Sequence, residues 1–203
     1  MGLKFSIPYQ IPFYETDITH QVKLPHLLAF SLQVSAMQSE SLGNADDAVF
    51  EQYGLVWIVT DYAIEIDRLP RYNEKVTITT EAISYNKIFC YRNFYITDEA
   101  GQQIMLFKTT FALMDYETRK VAEVPDELVA PYEAEKTKKL LRGPRYKVLE
   151  NPVDTLYRVR YFDLDMNGHV NNSKYLEWML DVFDLDFLTK YTPAHIDLRS
   201  EER

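Results

Sequence analysis

The sequence contains a single cysteine, Cys90, among its 203 residues, and it lacks any long apolar run. One cysteine excludes an internal disulfide. Cys90 lies among aromatic residues in a strand-like segment, which favours a small core side chain over a nucleophile. The four histidines have no cysteine or acidic partners at ligand spacing, so no metal site and no cofactor are expected. No apolar stretch approaches the roughly 18 residues of a membrane-spanning helix.

Basic residues are also scarce, with 22 Lys and Arg against 31 Asp and Glu and a net charge of -9. This balance argues against general nucleic-acid binding. An acidic partner would therefore have to meet a local basic patch. Residues 1–8 lack the apolar core of a secretory signal, which predicts a cytoplasmic protein. The sequence leaves open whether the chain forms a homodimer.

The hydrophobic pattern predicts one buried helix and a set of long strands. The helix runs from Leu24 to Leu42, with Pro25 in its first turn and Gly43 as its stop. Its apolar residues occupy most of the circumference, so we expect a sheet to wrap it. A strand near 5–14 precedes it, and period-two or short apolar runs predict four more strands, at 54–67, 74–84, 87–97 and 102–115. A buried helix with antiparallel strands is an α+β arrangement.

The composition shifts at Pro125, which predicts two units. We assign 1–124 to the first unit and 147–203 to the second. Residues 125–146 contain prolines and clustered charges and are interpreted as a linker, partly helical around residues 133–141.

The opening pattern of the chain returns in the second unit. A shift of 148 residues, the distance from Asp17 to Asp165, lays residues 9–17 on 157–165 without a gap. Both copies read as strand, polar bend and buried helix, which indicates an internal duplication. Where the first copy has Asp17, Thr19 and Gln21, the second has Asp165, Asn167 and His169. A bend needed only for folding would not require the imidazole, so the second copy is the better candidate for chemistry.

Asp165, Asn167 and His169 fall at every second position, and on an extended backbone their side chains would share one side. A carboxylate, an amide and an imidazole in one small volume suit acyl chemistry on water. The alternative is an Asx-rich turn that leads into a helix cap. The helix that follows is predicted from Ser173 to Leu188.

The run from Asp163 to Asn172, read as Asp-Leu-Asp-Met-Asn-Gly-His-Val-Asn-Asn, resembles the signature of acyl-acyl-carrier-protein (acyl-ACP) thioesterases. Residues 55–60 and 66–70 resemble the N-terminal domain of that family. The resemblance implies tandem hot-dog domains, each a long helix wrapped by an antiparallel sheet. Only about fifteen residues follow Leu188, so the second domain is expected to be incomplete at its C-terminal end.

The same resemblance implies the roles of the site residues. Asn167 would position the thioester carbonyl or the water, and His169, oriented by Asp165 or a backbone carbonyl, would stabilise charge or move the proton. Glu201 would activate water, although which residue is the general base stays open. Free N–H groups at the start of the helix, near Asn172 and Ser173, would stabilise an oxyanion. Substrate contacts are expected from Trp57, Asn172 and Tyr175.

The expected reaction is hydrolysis of long-chain acyl-ACP thioesters to free fatty acid and holo-ACP, which terminates fatty acid synthesis. The acyl chain would lie between the first helix and the strands. Because acyl carrier proteins are acidic, we expect docking at a basic cluster formed by Lys136, Lys138, Lys139, Arg142 and Arg145. Two alternatives stay open: a hot-dog thioesterase acting on acyl-coenzyme A, and a non-catalytic acyl-binding module. Asp61 replaces an arginine common in relatives, a reversed charge expected to alter substrate or partner contact.

Overall fold

The structure is a computed structural model that describes residues 2–141, 143, 150–151, 154–165 and 168–199. Its strands are β1 (Lys4–Gln10), β2 (Leu55–Ile66), β3 (Lys75–Tyr85), β4 (Phe89–Asp98), β5 (Gln103–Asp115), β6 (Val121–Ala122), β7 (Glu135–Lys136) and β8 (His195–Arg199). Its α-helices are α1 (Leu24–Ser41), α2 (Asp46–Tyr53), α3 (Asp126–Val129), α4 (Asn172–Leu180) and α5 (Leu185–Lys190). Short 3-10 turns lie at Phe13–Glu15, Ala130–Tyr132 and Tyr161–Asp163.

The strands form one sheet in the order β1-β3-β4-β5-β2-β8, and neighbours along this path are antiparallel. The four long strands predicted from the sequence are confirmed to within two residues at each end. β2 shifts register against β5 between Val59 and Asp61, and β3 shifts against β4 between Ala82 and Ser84. Such bulges bend a strand and increase its twist, which helps the sheet to curl.

Helix α1 lies against the inner face of this curled sheet. Leu27, Leu28 and Val34 are completely buried, in one cluster with the inward side chains of the strands. The helix has Pro25 in its first turn and stops just before Gly43, whose φ of +75° is a left-handed conformation that glycine adopts at little cost. A helix held inside an antiparallel sheet is the hot-dog arrangement, so the α+β prediction is confirmed.

Part of the segment after residue 124 packs against the first unit. Leu128, Val129 and Tyr132 are buried, and β7 pairs with the end of β3 in parallel. The helix expected around residues 133–141 is therefore wrong, since backbone groups at the start of that range bond to β3. The boundary at residue 124 stays a prediction.

Helix α2 was not predicted. It carries Asp46 and Asp47 in its first turn and ends at Gly54, which has a φ of +67°. Acidic residues at a helix start and glycine at its end are ordinary helix signals. It is only eight residues long, so its helical periodicity is hard to distinguish from the pattern of the strand that follows.

The helix predicted from Ser173 to Leu188 is two helices. α4 ends at Leu180, and Asp184 caps α5 by accepting the Phe187 N–H at 2.7 Å. An aspartate that takes a free N–H of a new helix start interrupts the earlier helix. Phe183 and Phe187 are about half exposed and stack on each other at 4.8 Å.

Residues of the second unit join the first unit. Leu176 of α4 is completely buried in the cluster that contains α1, and β8 pairs with β2. Arg199 of β8 donates to Asp61 of β2 at 3.0 Å, so the Asp61 carboxylate holds a neighbouring strand. No helix within the described ranges is long and apolar enough to cross a membrane.

We expect Leu176→Ala to lower the free energy of unfolding by about 2–5 kcal/mol, because it leaves a cavity between α4 and the shared core. Urea unfolding measures this. Val182→Ala is the matched control, since Val182 is 57% exposed, and it should change stability by less than about 0.5 kcal/mol. Equal losses in both variants would show that α4 does not pack into that core.

Candidate active site

The segment with Asp165 and His169 is a closed turn. Leu164 and Val170 form an antiparallel bridge. The N–H of Asp165 donates to the His169 carbonyl at 2.8 Å, and the N–H of His169 donates to Asp165 Oδ1 at 3.2 Å. The extended backbone considered from the sequence is therefore wrong. Asp165 and His169 instead lie opposite each other across the turn. Asn167 lies outside the described residues.

The first copy of the duplication forms the same turn. Asp17 N–H donates to the Gln21 carbonyl at 2.9 Å, and Gln21 N–H donates to Asp17 Oδ1 at 3.3 Å. His20 has a φ of +63° where Gly168 has +77°. The duplication is confirmed at the level of individual hydrogen bonds. The Asx-turn alternative is thus correct for the backbone, and only the second copy carries an imidazole at this position.

Asp163 anchors the turn from below. It is 1% exposed and accepts from Arg160 Nε and Nη2, each at 3.1 Å, and from the Arg160 N–H at 2.8 Å. Its carbonyl accepts the Asn171 N–H at 2.8 Å. The hydrogen bonds from Arg160, with Lys174 3.8 Å away, hold the pKa of the Asp163 carboxyl below its usual range. A buried, fully bonded carboxylate fixes the backbone that leads into the turn.

Helix α4 begins directly after the turn. Asn171 caps it, with Oδ1 accepting from the Ser173 N–H at 3.0 Å and from the Ser173 hydroxyl at 2.8 Å. The prediction that the Ser173 N–H is free for an oxyanion is therefore wrong, because the cap uses it. Asn172 is the first residue of the helix.

A cavity of about 830 Å³ lies between the C-terminal half of α1, the sheet and the turn. On α1 the residues that line it are Leu32, Ser35, Ala36 and Ser39, and three of these four side chains are small. Small side chains do not fill the gap between the helix and the sheet, so a space remains there. Its volume lies within the range of ordinary ligand pockets.

The cavity brings together residues that the sequence placed in two different units. From the second unit, Asp165, His169, Asn172 and Tyr175 line it, and from the first unit Trp57 does. The Trp57 ring meets Phe111 edge-on, with centroids 6.3 Å apart. Tyr175 is 41% exposed at the rim and packs edge-on against Trp178. Aromatic walls next to a carboxylate and an imidazole suit a ligand with an apolar tail and a reactive polar end.

Three residues near the start of β4 line the cavity: Cys90, Tyr91 and Arg92. Burial raises the pKa of the Cys90 thiol to about 12, which disfavours the thiolate form that a nucleophile requires. Arg92, which the sequence analysis missed, is 9% exposed and also lines the cavity. Period-two alternation with the inward Phe94 and Ile96 would have placed it on the inner face.

Glu201 lies outside the described residues. β8 ends two positions earlier at Arg199 and runs beside β2. The role of Glu201, like that of Asn167, stays a prediction.

The basic cluster is only partly described. Lys136 Nζ is 2.6 Å from Asp126 Oδ2, so its charge is already paired. Lys138 and Lys139 are exposed. Arg142 and Arg145 lie outside the described residues.

Residues 2–132 match the acyl-ACP thioesterase N-terminal domain, and residues 146–202 match the acyl-ACP thioesterase C-terminal domain. The chain belongs to the acyl-ACP thioesterase family. The family resemblance noted in the sequence is thereby confirmed.

Individual relatives support the assignment to the acyl-ACP thioesterases. The chain is 26% identical to acyl-[acyl-carrier-protein] hydrolase FATB3, chloroplastic, of Cuphea viscosissima, with 88% of this chain and 47% of the relative covered. It therefore spans about half the length of the curated relatives that it matches. Since that relative is named as chloroplastic, a cytoplasmic location for this chain stays a prediction.

Two crystal structures show the same fold. A protein of Lactobacillus plantarum described as a candidate oleoyl thioesterase is 37% identical, with a TM-score of 0.92 over 98% of this chain and 79% of that one. An acyl-ACP thioesterase of Bacteroides thetaiotaomicron is 25% identical, with a TM-score of 0.83 over 96% and 79%.

The bonded Asp163 gives the site an acid dependence. Its folded-state pKa is depressed, so its contribution to stability is complete above the unfolded-state pKa of about 4 and is lost as the pH falls through the folded-state pKa. We expect the free energy of unfolding to decline below about pH 4, and Asp163→Asn to remove part of that decline. Denaturant unfolding between pH 7 and pH 3 measures both. Asp186→Asn, at an 86% exposed carboxylate, should keep the wild-type dependence. Identical pH curves for wild type and Asp163→Asn would contradict the assignment.

Proposed function

We propose that the protein hydrolyses long-chain acyl-ACP thioesters to free fatty acid and holo-ACP. The observation that carries the proposal is that Asp165 and His169 open onto the same 830 Å³ cavity as Trp57 and α1. An acyl chain in this cavity would lie along the inner face of the sheet, with its thioester at the turn. Burial of each methylene contributes roughly 0.8 kcal/mol, so the chain supplies most of the binding free energy.

The polar end of the cavity supplies the chemistry in this proposal. The His169 imidazole can transfer a proton between water and the leaving thiolate. Asp165 accepts a hydrogen bond from the backbone N–H of His169. This bond holds the turn closed and fixes the backbone position from which the His169 imidazole extends. Asn167 and Glu201 are assigned to carbonyl positioning and water activation by the family resemblance.

Substitution at the turn tests the reaction. We expect His169→Ala to lower the rate of free-thiol release from acyl-ACP by about 10²- to 10⁴-fold, as for loss of a general acid or base. Asp165→Ala should also lower it, because the turn loses the hydrogen bond from the His169 N–H to the Asp165 carboxylate.

The first copy provides the matched control. Gln21→Ala changes the residue that occupies the position of His169 in a turn of the same geometry, and it should leave the rate unchanged. Equal activity in wild type and His169→Ala would contradict the assigned role. A folded wild-type protein that releases no thiol from either acyl-ACP or acyl-coenzyme A would support the non-catalytic alternative instead. Faster release from the coenzyme A ester would favour that carrier.

The carrier protein is proposed to dock at the exposed part of the basic cluster. We expect Lys138→Glu together with Lys139→Glu to raise the KM for acyl-ACP several-fold at low salt, because an acidic partner is attracted by the opposite charge. The KM for acyl-pantetheine should not change. Lys190→Glu, at a lysine of α5 outside the cluster, is the control. An unchanged KM for acyl-ACP in the double variant would exclude this surface. Homodimer formation stays a prediction.

A further inference from the structure

Arg92 is a cation buried in the wall of the acyl cavity. It lies on β4 with Ala82 of β3 and Thr109 of β5 directly opposite, and its side chain points to the inner face of the sheet. It is 9% exposed. Arginine is almost never buried to this degree without a paired anion.

The partners of Arg92 are neutral. Its Nη1 donates to Gln38 Oε1 at 2.6 Å and to Thr80 Oγ1 at 2.8 Å, and the Tyr132 ring lies under the guanidinium at 5.3 Å. Within the residues that the structure describes, Arg92 forms no ion pair. Burial lowers its pKa to about 10, so the group is still charged at neutral pH. A guanidinium has five N–H donors, and the described contacts use those of Nη1 alone.

Polar groups continue across the sheet from Arg92. Thr109 lies directly opposite Arg92, and Tyr62 lies directly opposite Thr109, so all three side chains share one face. Thr109 Oγ1 and Tyr62 Oη are both buried and have no hydrogen-bond partner in the described part of the chain. Of this row only Arg92 lines the cavity, and a purely alkyl ligand would leave its remaining N–H donors unsatisfied.

We propose that the cavity wall at Arg92 is a subsite for an oxygen atom on the acyl chain, so that oxoacyl or hydroxyacyl groups bind more tightly than unsubstituted chains of equal length. The inference rests on the proposed function in one respect, that the acyl chain occupies this cavity. A carbonyl or hydroxyl oxygen accepts a charge-assisted hydrogen bond from the guanidinium, which is stronger than a bond between neutral groups. The position of Arg92 in the wall restricts the gain to an oxygen at one place along the chain.

Binding of stable analogues tests the proposal without any need for hydrolysis. The probes are S-alkyl pantetheine thioethers of one chain length, one without an oxo group and a series with a single oxo group at successive carbons. Calorimetry on the unmodified protein should show one position, or two adjacent ones, with a Kd about tenfold lower than that of the plain chain. If every oxo analogue binds equally or more weakly, Arg92 serves only to join α1 to β3, and the proposal is wrong.

Two variants refine the test. Arg92→Gln should abolish the oxo preference, so that the oxo and plain analogues bind this variant with equal Kd values. Asn93→Ala changes the next residue of β4, which points to the opposite face, and it should keep the preference. Retention of the preference in a folded Arg92→Gln protein would overturn the proposal. If that variant does not fold, the position series on the unmodified protein decides alone.

The outcomes also separate this inference from the proposed function. An oxo preference without thiol release in the hydrolysis assay would keep the subsite and remove the activity. Thiol release without any oxo preference would do the reverse.

Discussion

The packing of α1 against the inner face of the sheet is the contact on which the rest of the structure depends. Leu27 and Leu28 are completely buried there, and their burial sets the distance between helix and sheet at one end. Further along the helix, the Ser35 and Ser39 side chains are too small to maintain that contact. The cavity occupies the space that remains between the helix and the sheet. The cavity and the hydrophobic core thus lie side by side in the same interface between α1 and the sheet. A change in side-chain size along one helix is enough to divide them.

The turn that carries the proposed catalytic residues is positioned from outside this interface. The turn with Asp165 and His169 is fixed by its own hydrogen bonds and by the buried Asp163, whereas α4 is fixed by Leu176 in the common core. The polar groups therefore do not have to contribute to the core that forms the cavity. Sites of this kind are usually built from loops on a rigid scaffold, and here the scaffold is the first unit.

Much of the fold could be predicted because the signals are local or repeated. Period-two strands, the apolar α1 and the duplication at 148 residues all depend on patterns within the chain. The break at Asp184, the use of the Ser173 N–H by a cap and the inward Arg92 depend on which group competes for a hydrogen bond or which residue lies across the sheet. Such neighbours are tertiary, and hydrophobic periodicity does not reveal them. The resemblance named the site residues, but it did not show that the turn is closed.

The two turns of the duplication have the same hydrogen bonds, yet they are encoded separately. In a symmetric dimer of identical chains, any substitution appears at both sites at once. With both turns on one chain, a substitution at Gln21 leaves His169 untouched, so one turn can be selected for folding alone while the other keeps its reactive side chain. Because both turns lie on one chain, each of the two positions is inherited independently of the other. The two turns can then diverge one residue at a time.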